Sequence, residues 1–293
     1  MRVIIYSKLA KEKDLPHIQQ LFDALDEAGV QVCVYGPYLD QLVNKIVFKS
    51  EISVFSGYLD FSNQKFDFVI ALGGDGTILS AVTHVRDANV PIVGINLGRL
   101  GFLASIEKKR IREAVTYLLK GRYVVQDRSL LYLESNLPVF GDIRFALNDC
   151  TLLKRDTSSM ITIHTYINGD YLNSYWADGI IVATPTGSTG YSLSCGGPII
   201  FPNSGNFVIT PVAPHNLNVR PVVISDDSVI SFQVQGRTDN FLCTLDSRFE
   251  TINSAHHLAV RKNDFTVKIV QLQDYGFMET IRNKLAWGVD QRN

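Results

Sequence analysis

Residues 72–77, Leu-Gly-Gly-Asp-Gly-Thr, combine residue types that hold a phosphate with an acid that can take part in chemistry. Gly73, Gly74 and Gly76 permit backbone conformations that other residues disfavour, and they let an anion approach the main chain closely. A carboxylate is a poor direct ligand for phosphate because like charges repel. We therefore interpret Asp75 as a group that accepts a proton or holds a bridging cation, while a helix cap is the simpler alternative.

The neighbouring residues predict a strand before this loop and a helix after it. Residues 68–71 are an apolar run typical of a buried strand, and residues 78–82 begin a helix that we expect to reach about residue 85. A helix N-terminus adds free N–H groups and a partial positive charge. The three glycines and Thr77 are therefore predicted to bind phosphate.

A second segment, residues 184–194, is rich in hydroxyl groups and glycines and follows the apolar run 180–183. Its sequence is Thr-Pro-Thr-Gly-Ser-Thr-Gly-Tyr-Ser-Leu-Ser. Many donors and close backbone approach suit a nucleotide. Serine and threonine also cap helices, but a run of this length is hard to explain by capping alone.

The motifs together resemble those of the NAD kinase family. Gly-Gly-Asp-Gly-Thr is similar to a signature shared by NAD kinases, lipid kinases of the diacylglycerol type and phosphofructokinases. Residues 177–198 resemble the second NAD kinase signature, which the other two families lack. Residues 96–103 resemble the family's Asn-x-Gly-x-Leu-Gly-Phe-Leu loop, and residues 211–221 resemble its Pro-x-x-Pro-His…Arg-Pro segment.

The resemblance implies transfer of the terminal phosphate of ATP to the 2′-hydroxyl of the adenosine ribose of NAD, which makes NADP. It implies Mg²⁺ or another divalent cation as cofactor, with no metal-ligating residue assigned. Asp75 matches the aspartate that takes the hydroxyl proton. The predicted nucleotide-binding residues are Gly73, Gly74, Gly76, Thr77, Phe102, Asn148, Asp149, Asp178, Thr186, Thr189, Gly190, Tyr191, Ser192, Leu193, Ser194 and Arg248.

One departure from the family pattern concerns the NAD ribose. The family's Asn-Glu pair is Asn148-Asp149 here, so the carboxylate is one methylene shorter. The ribose contact implied for it is then lost or mediated by water.

Two other functions stay open at this point. The chain is alternatively another small-molecule or lipid kinase that shares only the first motif, or a non-catalytic regulator that binds a dinucleotide. The sequence leaves open the preferred donor (ATP, another triphosphate or polyphosphate), the use of NADH, the oligomer size and feedback control.

The order of elements predicts two domains. Residues 1–126 alternate short strands and helices, which indicates an α/β domain with a mostly parallel sheet. Ligands of such sheets bind beyond the carboxyl ends of the strands. Residues 127–273 show strand alternation, which predicts an all-β, sandwich-like domain with hairpin turns at 168–169, 226–227 and 262–264. Residues 274–293 predict a C-terminal helix that returns to the first domain.

Composition limits the function classes. Of 293 residues 46% are hydrophobic, so the chain is a folded globular protein. A net charge of −1 gives no electrostatic footprint for nucleic acid. No apolar run suits a bilayer or a secretion signal, so no membrane partner and a cytoplasmic location are expected. Four scattered cysteines disfavour a zinc or redox site. The resemblance implies a homo-oligomer, a dimer or tetramer.

Overall fold

The computed structural model describes residues 1–99, 101–155, 159–273 and 276–286. The chain divides into two compact units, one formed by Met1–Asp127 with Val267–Asn293 and the other by Arg128–Thr266. Helices and strands are numbered along the whole chain. No helix in the described ranges is long and apolar enough to cross a membrane.

The first unit holds one eight-stranded sheet and six α-helices within the part that the structure describes. Its strands are β1 (Arg2–Tyr6), β2 (Gln31–Tyr35), β3 (Ile52–Phe55), β4 (Phe68–Leu72), β5 (Ile92–Asn96), β6 (Ile106–Glu107), β7 (Tyr123–Arg128) and β20 (Val267–Leu272). Its helices are α1 (Leu15–Glu27), α2 (Gly36–Leu42), α3 (Asp60–Asn63), α4 (Asp75–Val85), α5 (Ile111–Leu119) and α7 (Phe277–Leu285).

The sheet of the first unit is mostly parallel, as predicted. Its order is β3-β2-β1-β4-β5-β20-β7, with β6 paired to β5. The pairs joining β3, β2, β1, β4, β5 and β20 are all parallel. Every residue of β4 and β5 is buried, which explains why both strands are continuous apolar runs. The loops after β4 and β5 therefore leave the same edge of the sheet.

Local sequence explains the helix α1. In α1, Ile18, Leu21, Phe22 and Leu25 are buried at helical spacing. Pro16 lies in the first turn, where its missing N–H costs nothing. The chain leaves the helix at Gly29, whose φ is +63°.

Two stretches of the first unit differ from the sequence prediction. The sequence predicts a short helix over residues 39–46, whereas α2 spans Gly36–Leu42 because Pro37 favours an earlier start. The chain leaves it through Asn44, which has φ +66°. Residues 50–65 are polar and predict no element, yet they contain α3 and the edge strand β3, in which Ser53 and Val54 are exposed.

The second unit is a β-sandwich, as predicted. Its strands are β8 (Leu131–Ser135), β9 (Phe145–Ala146), β10 (Asp149–Lys154), β11 (Ile161–Ile167), β12 (Asp170–Ala177), β13 (Gly179–Ala183), β14 (Asn206–Val212), β15 (Val222–Ser225), β16 (Ile230–Gln235), β17 (Phe241–Leu245), β18 (Arg248–Ile252) and β19 (Leu258–Lys262), with the short helix α6 (Tyr191–Ser194). The two six-stranded sheets have the orders β15-β14-β13-β10-β17-β18 and β12-β11-β16-β19-β8-β9. Side chains from both sheets share one apolar core.

One predicted hairpin forms and two do not. Asn168 and Gly169 have φ of +53° and +88° and join β11 to β12, as expected for an Asn-Gly turn. The turn at 226–227 instead links β15 to β16, which lie in different sheets. The turn at 262–264 leads from β19 to β20, which lie in different units. A turn motif fixes the reversal of the chain but not the partner of the next strand.

The end of the chain rejoins the first unit. Ile269 of β20 pairs with Ile92 of β5, whereas the sequence boundary at 273 assigned this strand to the all-β domain. A short alternating strand looks the same in either kind of sheet, so its pattern gives no boundary. The predicted C-terminal helix is α7, which belongs to the first unit. Residues 274–275 and 287–293 of that prediction lie outside the described residues.

Gly94 in β5 tests how closely the sheet packs beneath the site. A Cβ there would lie 2.4 Å from Cδ1 of Ile78 and 2.9 Å from Cα of Ala104. Gly94→Ala is expected to lower the free energy of unfolding by about 1–3 kcal/mol through overpacking, measured by urea denaturation. Gly57→Ala is the control, since its Cβ would make only an ordinary 3.9 Å contact with His84. Equal stability of the two variants would contradict this packing.

Candidate active site

The glycine loop lies between the last residue of β4 and the first turn of α4. Gly73 has φ +153°, and a Cβ on it would lie 2.1 Å from Oγ1 of Thr77. The Gly73 N–H donates to the carbonyl of Ile95 at 2.9 Å, and the Thr77 N–H donates to that of Gly74 at 2.9 Å. Glycine is therefore required at position 73 both for its conformation and for its space. The predicted strand–loop–helix arrangement is present.

Asp75 is the first residue of α4, and its carboxylate holds the neighbouring loop. Oδ2 accepts the N–H of Phe102 at 2.8 Å, while Oδ1 accepts those of Leu103 at 3.0 Å and Ala104 at 2.9 Å. A carboxylate has about four lone-pair positions, so one acceptor position remains, on Oδ2. Asp75 thus has a structural role, but that role is to order the next loop rather than to cap its own helix.

The loop after β5 has its own internal support. Oδ1 of Asn96 accepts the Gly98 N–H at 2.6 Å, and Nδ2 donates to the Arg99 carbonyl at 2.5 Å. Leu100 of the predicted motif lies outside the described residues. A Cβ on Gly101 would lie 1.9 Å from Oδ1 of Asp75. Gly101 is therefore the residue that lets the carboxylate reach the three amides.

A basic cavity of about 270 Å³ adjoins the glycine loop within the first unit. Gly73, Gly74 and Thr77 form part of its wall. Four cationic residues also line it: Lys8, Lys11, Lys13 and Arg99. Asp14, the one acid in this lining, is buried and pairs with Lys108 at 3.3 Å. The cavity suits a multiply charged anion. The sequence prediction missed these lysines because their spacing follows no phosphate-binding motif.

In the second unit the hydroxyl-rich segment packs directly on residues 147–149. The Thr184 N–H donates to the Asn148 carbonyl at 2.9 Å, and the Thr184 hydroxyl donates to the Leu147 carbonyl at 2.6 Å. A Cβ on Gly187 would lie 2.0 Å from the Asn148 carbonyl oxygen. A Cβ on Gly190 would lie 3.8 Å from Nδ2 of Asn148 and 4.0 Å from Oδ2 of Asp149. The structure therefore brings these predicted residues together.

Several hydroxyls of this segment are used inside the protein. Ser188 donates to the Pro185 carbonyl and accepts the Ile200 N–H. The Ser192 hydroxyl is buried and bonds to the hydroxyl of Thr210 at 2.8 Å, and a contact of Ser192 with a ligand stays a prediction. The remaining predicted residues, Thr186, Thr189, Tyr191, Leu193 and Ser194, run from buried to exposed along the segment, with Tyr191 and Ser194 exposed.

Asp246 orders the backbone at the start of β10. Its carboxylate accepts the N–H groups of Leu147, Asn148 and Asp149 at 3.0, 2.7 and 3.2 Å. Burial raises its pKa, although these hydrogen bonds oppose the shift. Its position in the sequence indicates only an acid in a turn, where a φ of +55° is tolerated by aspartate.

Asp149 is a buried acid with a shifted pKa. Burial, with a smaller contribution from the charge of Asp246, raises its pKa to about 7. The Thr151 hydroxyl donates to its Oδ1 at 3.3 Å and opposes the shift. Asp149 therefore changes its charge near neutral pH, which the motif alone did not indicate.

Two further predicted residues have clear partners. Oδ1 of Asp178 pairs with Nζ of Lys154 at 2.6 Å. The guanidinium of Arg248 donates to the backbone carbonyls of Ile143 and Phe145. Arg248 thus supports the segment before Asn148, and a direct contact with a nucleotide stays a prediction.

A glycine loop at the start of a helix, with an acid and a basic cavity beside it, is an arrangement suited to an enzyme that transfers a phosphoryl group. Comparison of the chain with models of protein families identifies the enzyme family. The ATP-NAD kinase N-terminal domain matches residues 3–123, and the ATP-NAD kinase C-terminal domain matches residues 147–272. The chain belongs to the ATP-NAD kinase family.

Individual relatives agree with this. An NAD kinase of Cytophaga hutchinsonii is 47% identical over 290 residues, which cover 99% of each chain. The structure of a yeast NADH kinase complexed with NADH has a TM-score of 0.87 at 22% identity, covering 99% of this chain and 88% of that one. An Archaeoglobus fulgidus NAD kinase in complex with ATP has a TM-score of 0.73 at 23% identity and covers 98% of both chains. These two structures show the shared fold.

Gly101→Ala tests the contact between Asp75 and the loop. The added methyl group meets Oδ1 of Asp75, so the loop and the carboxylate must separate. We expect turnover to fall at least tenfold, because misplacing a reacting group is costly. Gly98→Ala in the same loop is the control, since its Cβ would make an ordinary 3.7 Å contact with Asn96. A Gly101→Ala enzyme as active as Gly98→Ala would contradict the assignment.

Asp149→Asn tests the raised pKa. The native state holds this proton up to about pH 7, whereas the unfolded chain releases it near pH 4. Native Asp149 therefore destabilises the fold progressively as pH rises between these values, by up to about 1.4 kcal/mol per pH unit. An amide lacks this titration.

The measurement is the melting temperature of both proteins from pH 5 to 8. We expect the melting temperature of Asp149→Asn, relative to the wild type, to increase as pH rises. Asp170→Asn, at an exposed hairpin position in the same unit, is the control. A difference that stays constant with pH would show that Asp149 does not titrate in this range.

Proposed function

We propose that this protein transfers the terminal phosphate of ATP to the 2′-hydroxyl of the adenosine ribose of NAD and so makes NADP. The observation that carries this proposal is the acid at the start of α4, ordered by three amides beside a basic cavity. The relative from Cytophaga hutchinsonii, an NAD kinase that is similar along its whole length, supports the same activity. Nothing observed favours a lipid kinase or a non-catalytic regulator.

The basic cavity is proposed to hold the phosphates of the donor. Lysine side chains supply mobile point charges around it, and the backbone of the glycine loop forms one wall. Phosphate binding at the start of a helix also gains from the N–H groups of the first turn. The ATP complex of the Archaeoglobus fulgidus enzyme supports ATP as the donor class.

Asp75 is proposed to orient the 2′-hydroxyl and take its proton. Phosphoryl transfer through a loose transition state depends more on alignment and charge neutralisation than on a strong base. The three backbone amides fix the carboxylate, and its remaining acceptor position on Oδ2 is available for a hydroxyl group. The same contacts that make Asp75 structural therefore also preorganise it.

Mg²⁺ fits this site as a cation carried by the triphosphate. No cluster of three or more potential metal ligands occurs among the described residues, and kinases commonly bind Mg²⁺ through substrate phosphates and few carboxylates. Asp14, the acid that lines the cavity, already pairs with Lys108. When bound, the cation neutralises charge on the donor phosphates.

The second unit is proposed to bind parts of the dinucleotide. Asn148, Asp149 and Gly190 lie together, with Tyr191 exposed beside them. Partial burial and the neighbouring Cys195 raise the pKa of Tyr191, and Asp178 and Asp149 add smaller contributions. By resemblance, Asp178 helps to fix the nicotinamide end. Its ion pair with Lys154 sets its orientation.

We also propose a cytoplasmic homo-oligomer, a dimer or tetramer. The family resemblance is the reason for this proposal. The second unit exposes large apolar side chains at Leu217, Phe249 and Trp176, which suit burial between copies. Light scattering on the purified protein measures the assembly directly.

The activity and the role of Asp75 are tested together. Wild-type protein with ATP, Mg²⁺ and NAD is expected to form NADP in a cycling assay specific for that product. Asp75→Asn is expected to lower turnover by about 10²–10⁴-fold, because the amide cannot take the proton. In this variant one carboxylate oxygen becomes an NH₂ group, which cannot accept the N–H of Phe102 or those of the other two residues. The melting temperature must therefore be measured to show that the loop is still held in place.

Asp60→Asn is the matched control for loop support. The carboxylate of Asp60 also accepts backbone N–H groups, from Ser56 and Gly57. It follows β3, which β2 and β1 separate from β4 in the sheet. We expect it to lose stability without a comparable loss of turnover. Near-normal turnover of folded Asp75→Asn would remove Asp75 from catalysis, and a wild type without NADP formation would disprove the proposed activity.

A further inference from the structure

Lys284 of α7 reaches the acid of the glycine loop. Its Nζ lies 3.7 Å from Oδ2 of Asp75 and 4.7 Å from the ring centroid of Phe102. Thr280 and Ile281 on the same helix are buried, which anchors α7 in the first unit. Two separate contacts therefore place one ammonium group beside the proposed base. The sequence prediction treated α7 only as a packing element.

The ammonium group of Lys284 lies beside the carboxylate of Asp75 without forming a close hydrogen bond to it. A direct hydrogen bond between an ammonium and a carboxylate measures about 2.7–2.9 Å, so 3.7 Å leaves Nζ nearby but not in close contact. The face of Phe102 attracts the cation and limits where it moves. The Lys284 side chain remains about one-third exposed, at 32%. Its donors are thus available to a ligand.

We propose that Lys284 is a further catalytic residue, which contacts an oxygen of the phosphoryl group during transfer. The inference rests on the proposed function. A base lies about 2.6–3.2 Å from the hydroxyl that it deprotonates, and the reacting oxygen and phosphorus approach within about 3–3.5 Å. A phosphoryl group aligned with Oδ2 of Asp75 is therefore within reach of a flexible lysine that lies 3.7 Å from the same atom.

The step that Lys284 assists is a balanced transfer. The 2′-oxygen of the ribose forms a bond to the terminal phosphorus of ATP. The bond from that phosphorus to the oxygen bridging it to the β-phosphate breaks, and ADP leaves with the electron pair. The hydroxyl proton goes to the carboxylate of Asp75. Negative charge is spread over the transferred group in this transition state, where a fixed cation stabilises it.

The test compares four purified enzymes in the NADP cycling assay with ATP and Mg²⁺. Lys284→Met and Lys284→Gln remove the charge, and Lys284→Arg keeps it. Arg282→Met, at an exposed position two residues earlier on α7, is the control. The wild type is assayed alongside them, and melting temperatures are measured on the same preparations.

We expect both neutral variants to lose about 10²-fold in kcat, as when one preorganised donor is removed. The KM for NAD should change less than about threefold, because the charge acts on the transferred group. Lys284→Arg should regain at least a tenth of the wild-type kcat, and Arg282→Met should match the wild type. Melting temperatures within about 3 °C of the wild type would accompany these results, since surface ion pairs contribute little stability.

A neutral variant with a kcat within threefold of the wild type would overturn the inference. So would equal losses in Lys284→Arg and Lys284→Met together with lowered melting temperatures, because that pattern marks a packing role. A wild type that forms no NADP would overturn the proposed function itself. That result is distinct from an active wild type whose Lys284 variants are equally active.

Discussion

The site of the first unit depends on the hydrogen bonds that one carboxylate accepts from three successive backbone amides. Asp75 begins α4, and the amides of Phe102, Leu103 and Ala104 follow β5. Hydrogen bonds to a charged group are each worth about 1.5–3 kcal/mol. They fix the glycine loop relative to the next loop, because β4 and β5 are parallel neighbours whose ends meet at one edge. Gly94 and Gly101 provide the space for this approach.

The second unit uses the same device at another place. Asp246 accepts three successive amides at the start of β10, where Asn148 and Asp149 lie. The segment of residues 184–190 then packs on that ordered backbone through Thr184 and Gly187. In both units an acid therefore orders a short stretch of main chain, and the residues proposed to meet the nucleotide project from that stretch.

The sequence predicted those helices and strands whose burial produces a local pattern of apolar residues. The apolar run before Gly73 predicted β4, and residues 78–82 predicted α4, because burial on one side of a helix or on both faces of a sheet leaves a direct pattern. The partner of β20 and the roles of Asp246 and Lys284 depend on contacts between residues far apart in the chain. No spacing rule encodes such contacts. The edge strand β3 escaped notice because exposure removes its apolar alternation.

The position of β20 has a consequence for how the protein is made. This strand lies between β5 and β7 inside the sheet, yet it is synthesised after the whole second unit. When the nascent chain has emerged only as far as β7, the sheet of the first unit still lacks β20. The edges of β5 and β7 that pair with β20 are then free to pair wrongly. Such distant pairing slows folding. We expect the β-sandwich to form on the ribosome before the α/β unit is complete, which reverses the usual order of N-terminal domain first.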